Sequence, residues 1–247
     1  MKRRDFMGQS VGFGALVAAA SLPGPLTISS VDSAPPVISN RGDRLTPPAK
    51  GKIPVAFAIS EGVTVIDFAG PWEVFQDVHV SERGKEMDDQ MPFQLFTVSE
   101  KTEPLRGSGG LKLVPDYTFE TAPAPKIVVV PAQRGSDALH AWLRKVTEAT
   151  DITMSVCTGA FQLGKAGLLS GKSATTHHDF LDRFAKTFPD VNVKRGLRFV
   201  EGDKISTAGG LSSGIDLALR VVERYFGRDV AMATAIYMEY QSKGWIV

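Results

Sequence analysis

Two short runs in this chain, Ile53–Ile59 and Ile127–Val130, are apolar throughout rather than at every second position. A strand with water on one face alternates apolar and polar residues. One that is apolar throughout needs cover on both faces. Ile152–Val156 and Phe93–Val98 read as further strands. Helical patterns fall between and after them, at Asp67–Val78 with Pro71 in its first turn, and at Ser136–Thr147 capped by Ser136 or Asp137. An apolar helix runs from after Cys157 to about Leu169, and Asp179–Phe188 is stopped by Pro189. Gly214–Phe226 is a long amphipathic helix ending at Gly227, and Val230–Tyr240 is the last helix. Leu111–Phe119, interrupted by Pro115, reads as an edge hairpin or excursion, and Phe199–Thr207 carries a hairpin around Gly202-Asp203. Strands alternating with helices predict an α/β fold with a mostly parallel sheet covered by helices on both faces.

The 247 residues suffice for a core that needs no disulfide or metal. A formal net charge of +1 gives no broad electrostatic case for nucleic acid or an anionic membrane as partner. One cysteine excludes an intrachain disulfide and a CxxC redox pair. The four histidines, His79, His140, His177 and His178, show no ligand spacing with it, so neither a metal nor a cofactor is expected.

Residues 1–34 read as an address. Lys2, Arg3 and Arg4 make a basic start, and Arg3-Arg4-Asp5-Phe6-Met7 resembles the twin-arginine export motif. The apolar stretch Val11–Leu22 is broken by Gly12 and Gly14 and is short for a membrane span, and Ala18–Ala20 offer a cleavage site. The expectation is a processed, exported, periplasmic protein with no stable membrane anchor. Residues 35–50, with Pro35-Pro36 and Pro47-Pro48, read as a linker, and 51–247 as the domain. After residue 34 the chain holds 25 basic and 25 acidic residues.

Three features fall where a parallel sheet gathers its reactive groups, at the carboxyl ends of the strands. In Ser155-Val-Cys-Thr-Gly-Ala160 a strand ends, a nucleophile follows and small residues permit a sharp turn into a helix. The helix start beyond Cys157 is expected to lower the thiol pKa. The alternative is a buried structural cysteine. Asp67 follows the first strand and could trade a proton with the thiol, or simply cap its helix. His177 and His178, in Thr175-Thr-His-His178, could act at the same edge or sit as ordinary surface or core histidines.

These residues carry a resemblance. Val65–Phe75, Ile127–Pro131, Ser155–Ala160, Ala166–His177 and Ser206–Ala218 are similar, in order, to the motifs of the DJ-1/PfpI superfamily, and most similar to its isonitrile hydratase branch. The resemblance implies a flavodoxin-like, glutamine-amidotransferase-type sandwich and a homodimer acting on a small molecule. It implies Cys157 as nucleophile, Asp67 as its acidic partner and a site role for Thr158. The activity implied is hydration of an isonitrile to an N-substituted formamide. The alternatives are a non-catalytic ligand-binding domain or a thiol redox-sensing, protein-protecting one. PfpI-type proteases place His directly after the cysteine, where this chain has Thr158, which disfavours that chemistry. Many relatives have Pro-Gly-Gly after the fourth strand, where this chain reads Pro131-Ala132-Gln133-Arg134-Gly135. Ala132 and Gln133 are therefore candidates to line the pocket, although Gln133 could equally face solvent, with His177 and the Gly209-Gly210 turn beside them.

Overall fold

The computed structural model describes residues 42–246, all within one compact unit. The export-type segment and the first part of the Pro-rich stretch lie outside the described residues. In chain order the strands are β1 (Ile53–Ala58), β2 (Phe93–Ser99), β3 (Leu105–Arg106), β4 (Lys112–Leu113), β5 (Tyr117–Thr118), β6 (Ile127–Val130), β7 (Ile152–Ser155), β8 (Ser173–Ala174), β9 (Asn192–Val193), β10 (Phe199–Val200) and β11 (Ile205–Ala208). The helices are α1 (Val65–Gln76), α2 (Met87–Gln90), α3 (Asp137–Thr147), α4 (Gly159–Lys165), α5 (Leu181–Thr187), α6 (Ser213–Phe226) and α7 (Arg228–Tyr237).

Seven strands form the main sheet in the order β10-β11-β7-β6-β1-β2-β5. Only the β10–β11 pair is antiparallel. Without the short edge strands the order is that of flavodoxin, and its reversal point lies between β1 and β6.

The apolar runs are explained by cover on both faces. Ile53, Val55 and Phe57 of β1 pack on the side that carries α1 and α6, while Ala56 and Ala58 face α3 and α4. β6 divides in the same way, with Ile127 and Val129 on one side and Val128 and Val130 on the other. β7 differs. Ile152 and Met154 join the first side, but Thr153 is a fully buried polar residue, bonded through Oγ1 to Thr147 and Thr150 at 3.1 and 3.2 Å. That network ties the end of α3 to the sheet.

Several boundaries move for identifiable reasons. α1 starts two residues before the expected Asp67, because Ser108 Oγ accepts from Val65 N (3.0 Å) and satisfies a first-turn donor from outside the helix. α4 ends at Lys165 rather than near Leu169, with Gly167 just beyond it at φ +76°. Leu111–Phe119 contributes β4 and β5, β4 pairing antiparallel with β3 and β5 parallel with β2. The two-residue pair β8–β9 carries no periodic signal to read in advance. Residues 42–50 lie along the domain, where Arg224 Nε donates to Asp43 O (2.8 Å) and Leu45 N donates to Arg224 O (2.9 Å). Among the described residues no helix is long and apolar enough to cross a membrane.

Candidate active site at the carboxyl edge of the sheet

Cys157 stands two residues beyond the end of β7 with φ +57°, a left-handed backbone that costs a non-glycine residue about 1–2 kcal/mol. Its neighbours hold it there. Val156 N donates to Val130 O (3.0 Å), Cys157 N to Gly209 O (2.7 Å), and Thr176 Oγ1 to Cys157 O (2.9 Å). α4 then starts at Gly159, seated against the end of β6. A Cβ at Gly159 would overlap Val130 O and lie 2.9 Å from the carbonyl carbon and oxygen of Pro131. Cys157 is therefore held on a strained strand-to-helix turn of the nucleophile-elbow kind, while its side chain is buried among the residues of the core.

Asp67 reaches the same point from α1. Its side chain is fully buried and caps no helix; Oδ2 accepts from Ala132 N, beyond β6, at 3.1 Å. Oδ1 makes no hydrogen bond of full geometry, and the polar side chain that couples to the carboxyl is the Cys157 thiol. Burial pushes Asp67 up to about 6, against the pull of Ala132 N–H and the thiol.

The thiol moves opposite to the expectation for a helix start. Burial, then the charge of Asp67, pushes Cys157 up to about 11, outweighing backbone N–H groups of Thr158 and Leu211 that donate to the sulfur. α4 has only seven residues, and the Asp67 carboxylate adds its own charge against the thiolate. At neutral pH the proton therefore rests on sulfur and the negative charge on Asp67.

The remaining candidate residues have distinct places. Thr158 is half-buried, its hydroxyl caps nothing, and its contribution to the thiol is its N–H. The Ala132 N–H is committed to Asp67 rather than left for a ligand, and Ala132 O accepts from Thr64 N at 2.9 Å. Gln133 donates through Nε2 to Ala58 O (2.7 Å) and so braces the end of β1. Its own carbonyl accepts from Gln162 Nε2 (3.0 Å), whose Oε1 meets His140 Nε2 at 2.8 Å. His177 makes no hydrogen bond to Cys157 or Asp67. Its ring lies so close to Gly210 that a Cβ there would overlap Cδ2, and its Nδ1 accepts from Asp179 N (3.3 Å). His177, His178 and Asp179 bring three potential metal-ligand atoms within 4.8 Å of one another, a grouping that residue spacing alone did not single out.

Sequence reasoning also missed Leu211 and Thr176. Leu211 has φ +52°, and its N–H reaches the sulfur. Nothing in the sequence marks a leucine for the left-handed region. A cleft of about 360 Å³ opens beside the elbow, with Thr176, His177, Arg198, Gly210, Leu211 and Ser212 among its walls. Neither Cys157 nor Asp67 lines it, but backbone that contacts Cys157 does.

The Asp67 shift has a stability consequence. Its folded value, about 6, lies above the ordinary 3.8, so the unfolded chain ionises first as the pH rises. Stability from this group is complete below pH 3.8 and lost as the pH rises through about 6, a difference of up to roughly 3 kcal/mol. Asp67→Asn keeps an acceptor for Ala132 N without the charge. The variant is expected to unfold about 6 °C above wild type at pH 7.5, with the gain shrinking toward pH 4. Thermal unfolding at both pH values checks this.

Residues 54–224 match the DJ-1/PfpI family. The chain is 31% identical over 195 residues to the isonitrile hydratase of Pseudomonas putida, covering 75% of this chain and 78% of that one. It is 31% identical over 145 residues to the HTH-type transcriptional regulator CdhR of Pseudomonas aeruginosa, covering 57% of this chain and 43% of the regulator. Among solved structures, a ThiJ/PfpI family protein from Pseudomonas syringae superposes with a TM-score of 0.66 at 24% identity, covering 86% of this chain and 84% of that one. Drosophila melanogaster DJ-1beta superposes at 0.64 with 15% identity, over 78% of this chain and 100% of that one. At these identities the two structures speak for the fold alone.

Proposed function

The chain belongs to the DJ-1/PfpI family, and from that premise we propose that it hydrates an isonitrile to an N-substituted formamide. The observation that carries the reading is the placing of Cys157, on its strained turn, beside a fully buried carboxylate whose charge acts on the thiol. The likeness to the Pseudomonas putida enzyme supports the choice of reaction.

The chemistry follows from where the proton rests. Asp67 takes the thiol proton as sulfur attacks the terminal isonitrile carbon, and returns it to that same carbon. The product is a thioimidate, with the carbon bonded to sulfur, hydrogen and nitrogen. The N–H groups of Thr158 and Leu211 steady the charge on sulfur as it forms and as it leaves. Water then adds to the carbon, its proton passing through Asp67 to nitrogen. Collapse expels the thiolate, which recovers its proton and leaves the formamide. One water is added to the substrate and the protein is unchanged.

A redox-sensing role is the weaker reading, because oxidation follows the thiolate and this thiol is held protonated. The family reading also brings a homodimer, and the N-terminal segment supports export to the periplasm by the twin-arginine route. The test is formamide production from a simple alkyl isonitrile under reducing conditions. Wild type is expected to turn over, and Cys157→Ala to lose activity by at least about a thousandfold. No formamide from folded, reduced wild type overturns the hydratase reading and leaves a binding domain.

A further inference from the structure

The cleft beside the elbow is rich in donors. Arg198 stands in its wall with its side chain 36% exposed, and a fully buried carboxylate holds it from behind. Arg198 Nε donates to Asp216 Oδ2 at 2.6 Å, and Nη2 pairs with the same oxygen. Nη2 also reaches Ser212 Oγ at 3.3 Å and Tyr240 OH at 3.5 Å. Asp216 Oδ1 is occupied in turn, by Tyr240 OH at 3.2 Å and Ser242 Oγ at 3.1 Å. The guanidinium is thus fixed in place, and its Nη1 has no acceptor among the described residues.

Other walls agree in character. His177 accepts at Nδ1 from Asp179 N, which leaves Nε2 as its donor nitrogen. Leu181, Leu197 and Leu211 supply apolar surface, and no carboxylate lines the cleft. Two carboxylates lie near. Asp179 stands outside against the two histidines, and Asp216 is sealed behind Arg198. Asp216 cancels the arginine's charge at long range, so recognition depends on short hydrogen bonds. The cleft, lined in part by Thr176, Gly209 and Leu211, also adjoins the elbow. Thr176 Oγ1 and Gly209 O bond the Cys157 backbone, and the Leu211 N–H reaches its sulfur.

We propose that this cleft is a carboxylate-binding subsite centred on Arg198, and that the substrate of the Cys157–Asp67 pair is a small isonitrile bearing a carboxylate. The substrate class rests on the hydratase reading; the subsite does not.

Two arms test it on the full-length protein. In the first, Cys157 is alkylated with iodoacetate and with iodoacetamide, and adducts at that residue are quantified by mass. The iodoacetate-to-iodoacetamide rate ratio is expected to exceed that of a free thiol by about tenfold. Arg198→Gln brings the ratio back to the free-thiol value, and Arg198→Lys retains part of it. A free-thiol ratio in wild type, or a ratio unmoved by Arg198→Gln in folded protein, overturns the subsite. Wild type alone is enough to overturn it, so an unstable variant does not shelter the proposal. The second arm compares kcat/KM for isocyanoacetate and its methyl ester. An acid preference of about tenfold that shrinks in Arg198→Lys and collapses in Arg198→Gln is expected. Equal turnover of acid and ester overturns the substrate class. Preferential alkylation with no hydration of either compound overturns the hydratase reading and keeps the subsite.

Discussion

Asp67→Asn is expected to make Cys157 a faster nucleophile toward a neutral alkylating reagent and a worse catalyst of hydration. The two effects have opposite signs because the carboxylate plays two parts. At rest its charge and its hydrogen bond both hold the proton on sulfur, and after burial its charge is the largest cause of the thiol's rise to about 11. Asparagine removes the charge, leaving burial opposed by the N–H groups of Thr158 and Leu211. Each unit by which the thiol pKa falls raises the thiolate fraction at pH 7.5 about tenfold, and, because nucleophilicity falls with pKa, iodoacetamide alkylation is expected to quicken about threefold per unit. Hydration needs a group that accepts the thiol proton and returns it to carbon, which asparagine cannot do. Turnover is expected to fall by about a thousandfold. Slower alkylation in the variant would show that Asp67 activates the resting thiol, and the order of proton transfers proposed above would then be wrong.

The sign of the thiol shift is also where sequence reasoning failed. A cysteine just before a helix predicts a lowered pKa, and the helix start is indeed there. What the sequence does not carry is distance. Asp67 lies 90 positions earlier in the numbering, and only the sheet order, with β1, β6 and β7 side by side, brings it to the elbow. The same order explains what was legible. Ile53–Ala58 and Ile127–Val130 had to be covered on both faces, and a doubly covered parallel sheet puts its reactive groups at one edge. Local residues favoured Asp67 as a helix cap over a site carboxylate, and the bond from Ala132 N, a long-range donor, shows that it caps no helix. Gln133 shows the opposite limit. Its amide spans to Ala58 O on a neighbouring strand, which neither a solvent-facing nor a pocket-facing reading of the loop anticipates. Leu211 was hidden for a third reason, since its left-handed backbone is imposed by the turn into α6 and not by its own side chain.

Gly159→Ala is expected to cost about 3 kcal/mol or more and to abolish hydration even at temperatures where the variant remains folded. The added methyl would overlap Val130 O and crowd the Pro131 carbonyl, and both neighbours are backbone at the end of a central strand. A side chain could turn aside; these atoms cannot move without breaking the sheet. Relief comes only from lifting α4 off β6. That movement stretches the bond from Val156 N to Val130 O and releases the constraint that keeps Cys157 at φ +57°. The thiol then loses its alignment with Asp67 and with the N–H groups of Thr158 and Leu211. Gly167→Ala separates this from a general glycine effect. Gly167 has φ +76° and nothing within 4 Å of an added Cβ, so its cost is conformational, about 1 kcal/mol. It lies beyond the end of α4, and its turnover is expected to stay near wild type. Thermal unfolding and formamide assays on the two variants measure both quantities. Equal losses of activity in the two would mean that the tight seat of α4 on β6 does not hold the elbow. A large loss confined to Gly159→Ala would tie catalysis to the one place where the helix and the sheet leave no room for a methyl group.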